Sequence, residues 1–267
     1  MQYVSTAGFV ATSFGTLPPF RAIRASSIEE AVTALGAAER PAVLAGGTDL
    51  PARFNEGFCP TDLIDVSRIA ALRNIVLADN AIEIGAAVTH AAGASHPLIR
   101  KHLPSLAHAW SRIANIRIRL SATIGGNLMA RRTRYEGAIL FSALGARLRL
   151  RRPAGDFEIA SEDIWGDASR AALLIGIVIP LRKGLRLDYA RELRPIMTQA
   201  VALDDDGCGR LVTATEHVIP RVRPIEDAMP VGSGADLEFD DPVTSAAYLR
   251  RVSGTLLARQ IERMRPQ

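Results

Sequence analysis

Apolar and polar positions alternate along this chain in short blocks, and the period changes several times. Phe20–Ile23 reads as a short strand. Behind it, Ser27 and Glu30 have the spacing of a helix capping box, and Ala31, Leu35 and Ala38 recur at helical intervals. Pro41–Ala45 is an apolar strand that runs into Gly46-Gly47-Thr48-Asp49. A helical turn over residues 50–56 ends at Gly57, and Asp62–Val66 is another buried strand. Strand, helix and strand in this order predict a small α/β unit. Residues 1–18 show no period and are read as an extended arm.

The texture changes from Arg68. Ile75–Leu77 and Ala81–Ile84 predict antiparallel strands around an Asp79-Asn80 turn. Residues 87–115 read as mostly helical, broken at Pro97 and Pro104, with Leu106, Trp110 and Ile113 spaced for one buried face. Leu140–Gly145 is helical in pattern, Arg147–Arg151 alternates as a strand, and Leu173–Pro180 is a strongly apolar strand. Beyond a boundary near Arg182–Gly184, Ile196–Leu203 and Leu211–Val218 predict a hairpin across Asp204-Asp205-Asp206-Gly207. Asp241–Arg265 predicts a long amphipathic helix with Tyr248, Val252, Leu256 and Ile261 on its apolar side. The fold class expected is α+β, divided at 1–67, 68–181 and 182–267.

Composition narrows the function. The 267 residues are 48% hydrophobic, and no apolar run approaches the roughly 20 residues of a membrane helix. The first residues lack the basic start of a secretory signal, so a cytoplasmic protein without a membrane span is expected. A net charge of +4 raises the question of nucleic acid, but the basic residues are almost all Arg, scattered along the chain, and aromatics are only 5%. That is a poor base-stacking surface, and no nucleic-acid partner is expected. Cys59 and Cys208 are too few for a disulfide scaffold or a cluster site within this chain. His90, His96, His102 and His108 recur every six residues, which holds no single helix face, and with His217 they are read as structural or surface groups. No metal site and no catalytic acid–base or nucleophile pattern is expected.

Two glycine pairs carry the chemistry. Glycine permits positive φ and close backbone approach, so successive N–H groups can line one concavity. Ala45-Gly46-Gly47-Thr48-Asp49 follows a strand and opens a helix, a geometry favourable to phosphate. Thr123-Ile124-Gly125-Gly126-Asn127 is the second pair. Each also reads as a plain tight turn, and neither matches a dinucleotide fingerprint or a P-loop.

At these residues the sequence resembles a known family. Ala45-Gly46-Gly47-Thr48-Asp49-Leu50, then Leu63–Ser67, Ile84–Thr89, Ile113-Ala114-Asn115, Thr123–Leu128 and Leu140–Ala146 are similar, in this order, to the FAD-binding medium subunits of molybdenum hydroxylases. The family includes the flavin parts of xanthine dehydrogenase and carbon monoxide dehydrogenase. The segment from Asp241-Pro242 through Leu257-Ala258-Arg259 resembles its C-terminal helix, and the likeness spans residues 18–265. It implies a two-subdomain FAD-binding fold of the vanillyl-alcohol oxidase type plus a C-terminal domain of antiparallel sheet and helices. It implies FAD as cofactor, with Ala45, Gly46, Gly47 and Thr48 on one side of the pyrophosphate, Thr123, Gly125, Gly126 and Asn127 on the other, and Asp49 among the cofactor-binding residues. Ile113 and Ala114 would lie near the cofactor. It further implies a large molybdopterin-binding subunit and a small [2Fe–2S] subunit as partners, in a dimer of heterotrimers, with this chain relaying electrons through FAD to an acceptor.

One stretch departs from the family pattern. Small residues and an Asp usually follow the second pair; here Met129-Ala130-Arg131-Arg132-Thr133-Arg134-Tyr135 leads to Glu136 at the Asp position. Glu136 would keep the carboxylate contact to the cofactor on a longer arm. Arg131, Arg132 and Arg134 read equally as counter-charges for pyrophosphate, a partner-docking face, a guide for an anionic acceptor, or solvated surface. The competing functions are a flavin-free scaffold subunit of the same complex and a stand-alone FAD-dependent reductase.

Overall fold

The computed structural model describes residues 2–4, 10–12, 19–191, 196–225 and 238–264. The arm expected over 1–18 lies largely outside them; within it β1 (Gln2–Val4) pairs antiparallel with β2 (Val10–Thr12). The first unit comprises β3 (Arg21–Arg24), α1 (Ile28–Ala37), β4 (Pro41–Leu44), α2 (Leu50–Asn55) and β5 (Asp62–Asp65). Its three strands form a parallel sheet in the order β3-β5-β4. Parallel pairing requires crossovers, and the two short helices supply them. Ser27 caps α1 by accepting from Glu30 N at 3.1 Å, while the Glu30 carboxylate reaches back to Ser26 N at 2.8 Å, one residue before the expected partner.

The second sheet is built from β6 (Ile75–Ala78), β7 (Ala81–Gly85), β8 (Arg147–Arg152), β9 (Gly155–Ala160) and β10 (Leu173–Pro180). It is antiparallel throughout, in the order β6-β7-β10-β8-β9. Asp79 and Asn80 both take positive φ, +47° and +58°, which gives the first hairpin the twist its strands need. Six helices lie between β7 and β8: α3 (His90–Ser95), α4 (Pro97–His102), α5 (Pro104–Arg112), α6 (Ile116–Ser121), α7 (Ile124–Met129) and α8 (Glu136–Ala143). Pro97 and Pro104 open α4 and α5 at positions where the missing N–H costs nothing. The segment before the second glycine pair, left without a secondary structure in the sequence pattern, is α6.

The third unit holds β11 (Arg186–Ala190), β12 (Met197–Leu203), β13 (Gly209–Thr215), β14 (Arg221–Ile225) and α9 (Ala246–Met264). Its strands follow one another as an antiparallel sheet, β11-β12-β13-β14, with the expected acidic turn between β12 and β13. The helix differs from expectation in start and in face. It begins at Ala246, and it buries Leu249, Ser253, Leu257, Gln260 and Met264, whereas Tyr248 is exposed. The buried polar members explain the shift. Gln199 Nε2 donates to Gln260 Oε1 at 2.8 Å, and Ser253 donates to Gln199 Oε1 at 2.7 Å, so these residues are satisfied inside the core.

Packing joins the units. Every residue of α8 is buried, in keeping with a sequence apolar on all sides, and the core around it includes Leu148, Ile177, Ala200 and Val212 from both larger sheets. A second core forms under α1 from Val32, Leu35, Ile64 and Leu72, and reaches Ala87 and Leu173 of the five-stranded unit. Among the described residues no helix is long and apolar enough to cross a membrane.

Candidate functional site

A cleft of about 720 Å³ opens between the parallel sheet and the helices that precede β8. Its walls include Ala45, Gly46, Gly47, Thr48 and Asp49 on one side, and Thr123, Gly125, Gly126 and Asn127 on the other. Ile113, Ala114 and Glu136 line the same space. All twelve residues expected at the cofactor therefore border one cavity.

The two glycine segments build it differently. Gly46 and Gly47 lie in the open connection from β4 to α2. A Cβ on Gly46 would stand 2.1 Å from the Ser121 carbonyl oxygen, so only glycine lets this connection touch the chain just before α7. Gly47 has φ +67°, and a Cβ there would meet only Leu44 Cδ1, at 3.4 Å. Among the described residues, the N–H groups of Gly46, Gly47, Thr48 and Asp49 donate to no protein acceptor. Such donors are paired by water or by a ligand.

The second segment is no turn: Gly125 and Gly126 form the first turn of α7. Gly125 N donates to Ala86 O at 2.9 Å and Gly126 N to Thr123 Oγ1 at 3.0 Å, the latter being the helix cap. A Cβ on Gly125 would meet Ala86 O at 2.6 Å. These glycines serve close packing of α7 on the start of the helical region. Asn127 Oδ1 accepts from Gly137 N at 2.8 Å and so ties α7 to α8.

Ala114 takes φ +43°, uncommon for a residue with a Cβ. Arg119 holds that bend by donating to the carbonyls of Ile113 at 2.8 Å and Ala114 at 3.0 Å. Asp49 is equally committed. Its Oδ1 accepts from Arg132 Nε at 3.0 Å and from the Tyr135 hydroxyl at 2.8 Å, while Arg132 also reaches Glu56 at 2.9 Å. Burial, helped by the Asp49 carboxylate, pushes the Tyr135 phenol up to about 12, so it acts as a donor.

Glu136, 4% exposed, is ion-paired with Arg191 just past β11. The carboxylate at the family's Asp position is thus turned onto a guanidinium. The reading as solvated surface does not hold for Arg131, which lines the cleft, or for Arg132, which is consumed by Asp49 and Glu56; Arg134, 3.7 Å from the exposed Glu216, keeps a surface position.

His90, read from the sequence only as a structural or surface group, lies at the cleft. It is 1% exposed, and neither ring nitrogen has a partner among the described residues. Burial, with the nearby Arg119 charge, lowers its pKa to about 4, so the ring is neutral. Tyr135, Arg191 and Ser169 are also cleft residues that no local sequence pattern marks.

Comparison with known proteins is decisive for the family. Residues 18–182, more than half of the chain, match the family described as "FAD binding domain in molybdopterin dehydrogenase". The chain belongs to this family. It is 33% identical over 126 residues to the nicotinate dehydrogenase FAD-subunit of Eubacterium barkeri, covering 47% of this chain and 43% of that one. It is 25% identical over 191 residues to the glyceraldehyde dehydrogenase medium chain of Sulfolobus acidocaldarius, covering 69% and 68% respectively. Apart from that second protein, the matched stretch is about half the length of the curated relatives, for example 46% of a putative xanthine dehydrogenase FAD-binding subunit of Escherichia coli. The fold is shared with a chain of reconstituted CO dehydrogenase from Oligotropha carboxidovorans, with TM-score 0.82, 23% identity, and coverage of 94% of this chain and 99% of that one. The architecture is the expected α+β fold, FAD-binding subdomains followed by an antiparallel sheet with a helix.

The cleft fits the family's cofactor, FAD. Unpaired backbone donors at Gly46–Asp49 suit phosphate oxygens, and no side chain at 47 fills the space before them. Guanidinium groups also line the cleft and suit an anionic ligand.

Proposed function

We propose that this chain is the electron-transfer subunit of a molybdenum hydroxylase complex, in which FAD takes electrons from partner [2Fe–2S] clusters and passes them to an acceptor. The observation that carries the reading is the run of N–H groups at Gly46–Asp49 that have no protein partner among the described residues, in a segment that lines one cleft with the α7 segment of the same family pattern. FAD, when bound, supplies the redox chemistry, and the protein supplies position and charge. Gly46, Gly47 and Thr48 would hold the pyrophosphate from the open side, and α7 with Thr123, Gly125, Gly126 and Asn127 would form the opposite wall. Ile113 and Ala114, fixed by Arg119, would present an apolar surface to the cofactor. Asp49, tied to Arg132 and Tyr135, keeps the connection from β4 to α2 in place, and Arg191 holds Glu136 at the far wall.

The partners we propose are a large molybdopterin-binding subunit and a small [2Fe–2S] subunit, assembled as a dimer of heterotrimers in the cytoplasm. The complex would hydroxylate an aldehyde or an N-heteroaromatic compound, in keeping with the names of the glyceraldehyde and nicotinate dehydrogenase relatives. We place the subdomain divisions at 67/68 and 181/182, between the three sheets. The test is affinity purification of the tagged chain from its own host under native conditions. Copurifying molybdenum, iron and FAD in constant ratio is the expected result; a chain recovered without molybdenum and iron would sink the reading.

A further inference from the structure

The glycine segments account for the shape of the cleft and leave its charge unexplained. Two carboxylates and four guanidinium groups line it: Asp49, Glu136, Arg53, Arg131, Arg170 and Arg191. Asp49 is neutralised by Arg132, and Glu136 by Arg191. Arg170 pairs with Asp167 at 2.9 Å on the exposed rim. Arg53 stacks on the Phe58 ring, 4.3 Å from its centroid, and among the described residues neither Arg53 nor Arg131 has a carboxylate within ion-pair distance. The cleft therefore holds an excess of positive charge.

Arg131 is set into the wall. Its backbone takes φ +50°, its Nη2 donates to Ser169 Oγ at 2.6 Å, and Ser169 is itself fully buried and bonded to Ile164 O at 2.7 Å. Its Nε is buried without a partner. Burial and the nearby charge of Arg170 lower the Arg131 pKa; Asp167 opposes the shift and Arg53 adds to it. Its neighbour Arg132 draws the 131–135 segment across Asp49, at the end of the first glycine connection. A held, partly desolvated guanidinium with a spare donor is unfavourable until an anion joins it.

We infer that Arg131, supported by Arg53, anchors the pyrophosphate of the flavin dinucleotide and makes the cleft discriminate FAD from unphosphorylated flavin. This rests on the FAD reading above. The cation excess is suited to a pyrophosphate diester, which carries one charge per phosphate, and the neutral backbone donors of Gly46–Asp49 cannot offset that charge alone.

The test is equilibrium titration of the cofactor-stripped chain with FAD and with riboflavin at low and high salt, following flavin fluorescence. Arg131→Gln is expected to weaken FAD binding about tenfold or more and to flatten its salt dependence, leaving riboflavin affinity unchanged. Arg131→Lys should recover part of the loss, and Arg53→Gln, on an accessible face of α2, should show a smaller loss of the same kind. FAD binding by Arg131→Gln with wild-type affinity and salt slope would overturn the inference, as would an equal loss of riboflavin. Should Arg131→Gln not fold, unchanged FAD affinity and salt slope in Arg53→Gln would overturn it. A wild-type chain that binds no FAD removes both this inference and the function it rests on; wild-type binding with an insensitive Arg131 variant removes this inference alone.

Discussion

The same two letters, Gly-Gly, occur at 46–47 and at 125–126, and the structure uses them for opposite purposes. At the first pair the backbone is open: Gly47 has positive φ, and four successive N–H groups from Gly46 to Asp49 lack a protein partner among the described residues. At the second pair the N–H groups are spent inside the molecule, on Ala86 and Thr123, and the glycines bring α7 against the chain at Ala86. One region keeps donors free for a ligand, and the other gives up its donors to become a rigid wall. A glycine pair in a sequence thus signals close approach, and only the surrounding hydrogen bonds tell whether the approaching group is a ligand or the protein itself.

The contrast can be broken by mutation, and the packing glycines should respond most. Gly125→Ala drives a Cβ to 2.6 Å from Ala86 O, and Gly46→Ala to 2.1 Å from Ser121 O. Each should cost about 3 kcal/mol in chemical denaturation, since backbone must shift at both sites. A loss below about 0.5 kcal/mol in either would show that the clefts of these contacts relax freely.

His90 should give the next largest effect, because it lies behind the second segment, where its N–H donates to Ala122 O at 3.1 Å. Its folded pKa is about 4 against an ordinary 6.5, so the unfolded chain binds the proton more readily between those values. The stability from keeping the ring neutral is complete above pH 6.5 and falls as pH drops towards about 4, by about 3 kcal/mol in order of magnitude. Thermal denaturation across this window should therefore be flatter for His90→Leu than for wild type. Equal pH slopes would mean that the buried ring finds a partner when protonated.

Beyond Gly46, the open segment should be gentler on stability and harsher on binding. Gly47→Ala meets no closer atom than Leu44 Cδ1 at 3.4 Å, so its cost should be the left-handed backbone alone, about 1 kcal/mol. The smallest effects come from paired threonines. Thr123→Val loses the cap to Gly126 N and should cost about 1 kcal/mol, whereas Thr48→Val loses no protein hydrogen bond and should change stability by less than about 0.5 kcal/mol while weakening FAD. Denaturation and FAD titration of this pair side by side would invert the expected order only if Thr48 were structural.

Much of the fold was legible because its signals are local. Ser27 capping, Pro97 and Pro104 at helix starts, and the Asp79-Asn80 turn each act within a few residues. Beyond the N-terminal β1 and β2, the missed strands β9, β11 and β14 all lie at sheet edges, where charged residues and Pro224 replace the apolar alternation. The face of α9 was misread because Ser253 and Gln260 are buried with their partner Gln199, a satisfaction that residue type does not reveal. In the cleft, the glycine segments could be read from sequence, but Arg191 on Glu136, Tyr135 on Asp49 and the unpartnered His90 depend on contacts set by the tertiary fold.

The claim at the centre of this account is that the cleft between the two glycine segments holds FAD. The most direct measurement is a visible absorption spectrum of the purified chain after incubation with FAD and removal of the free cofactor, with the released compound identified by mass. The account predicts a flavin band, FAD as the released species, and a weaker band for Thr48→Val. A protein that stays colourless, or a band equally strong in Thr48→Val, would contradict it.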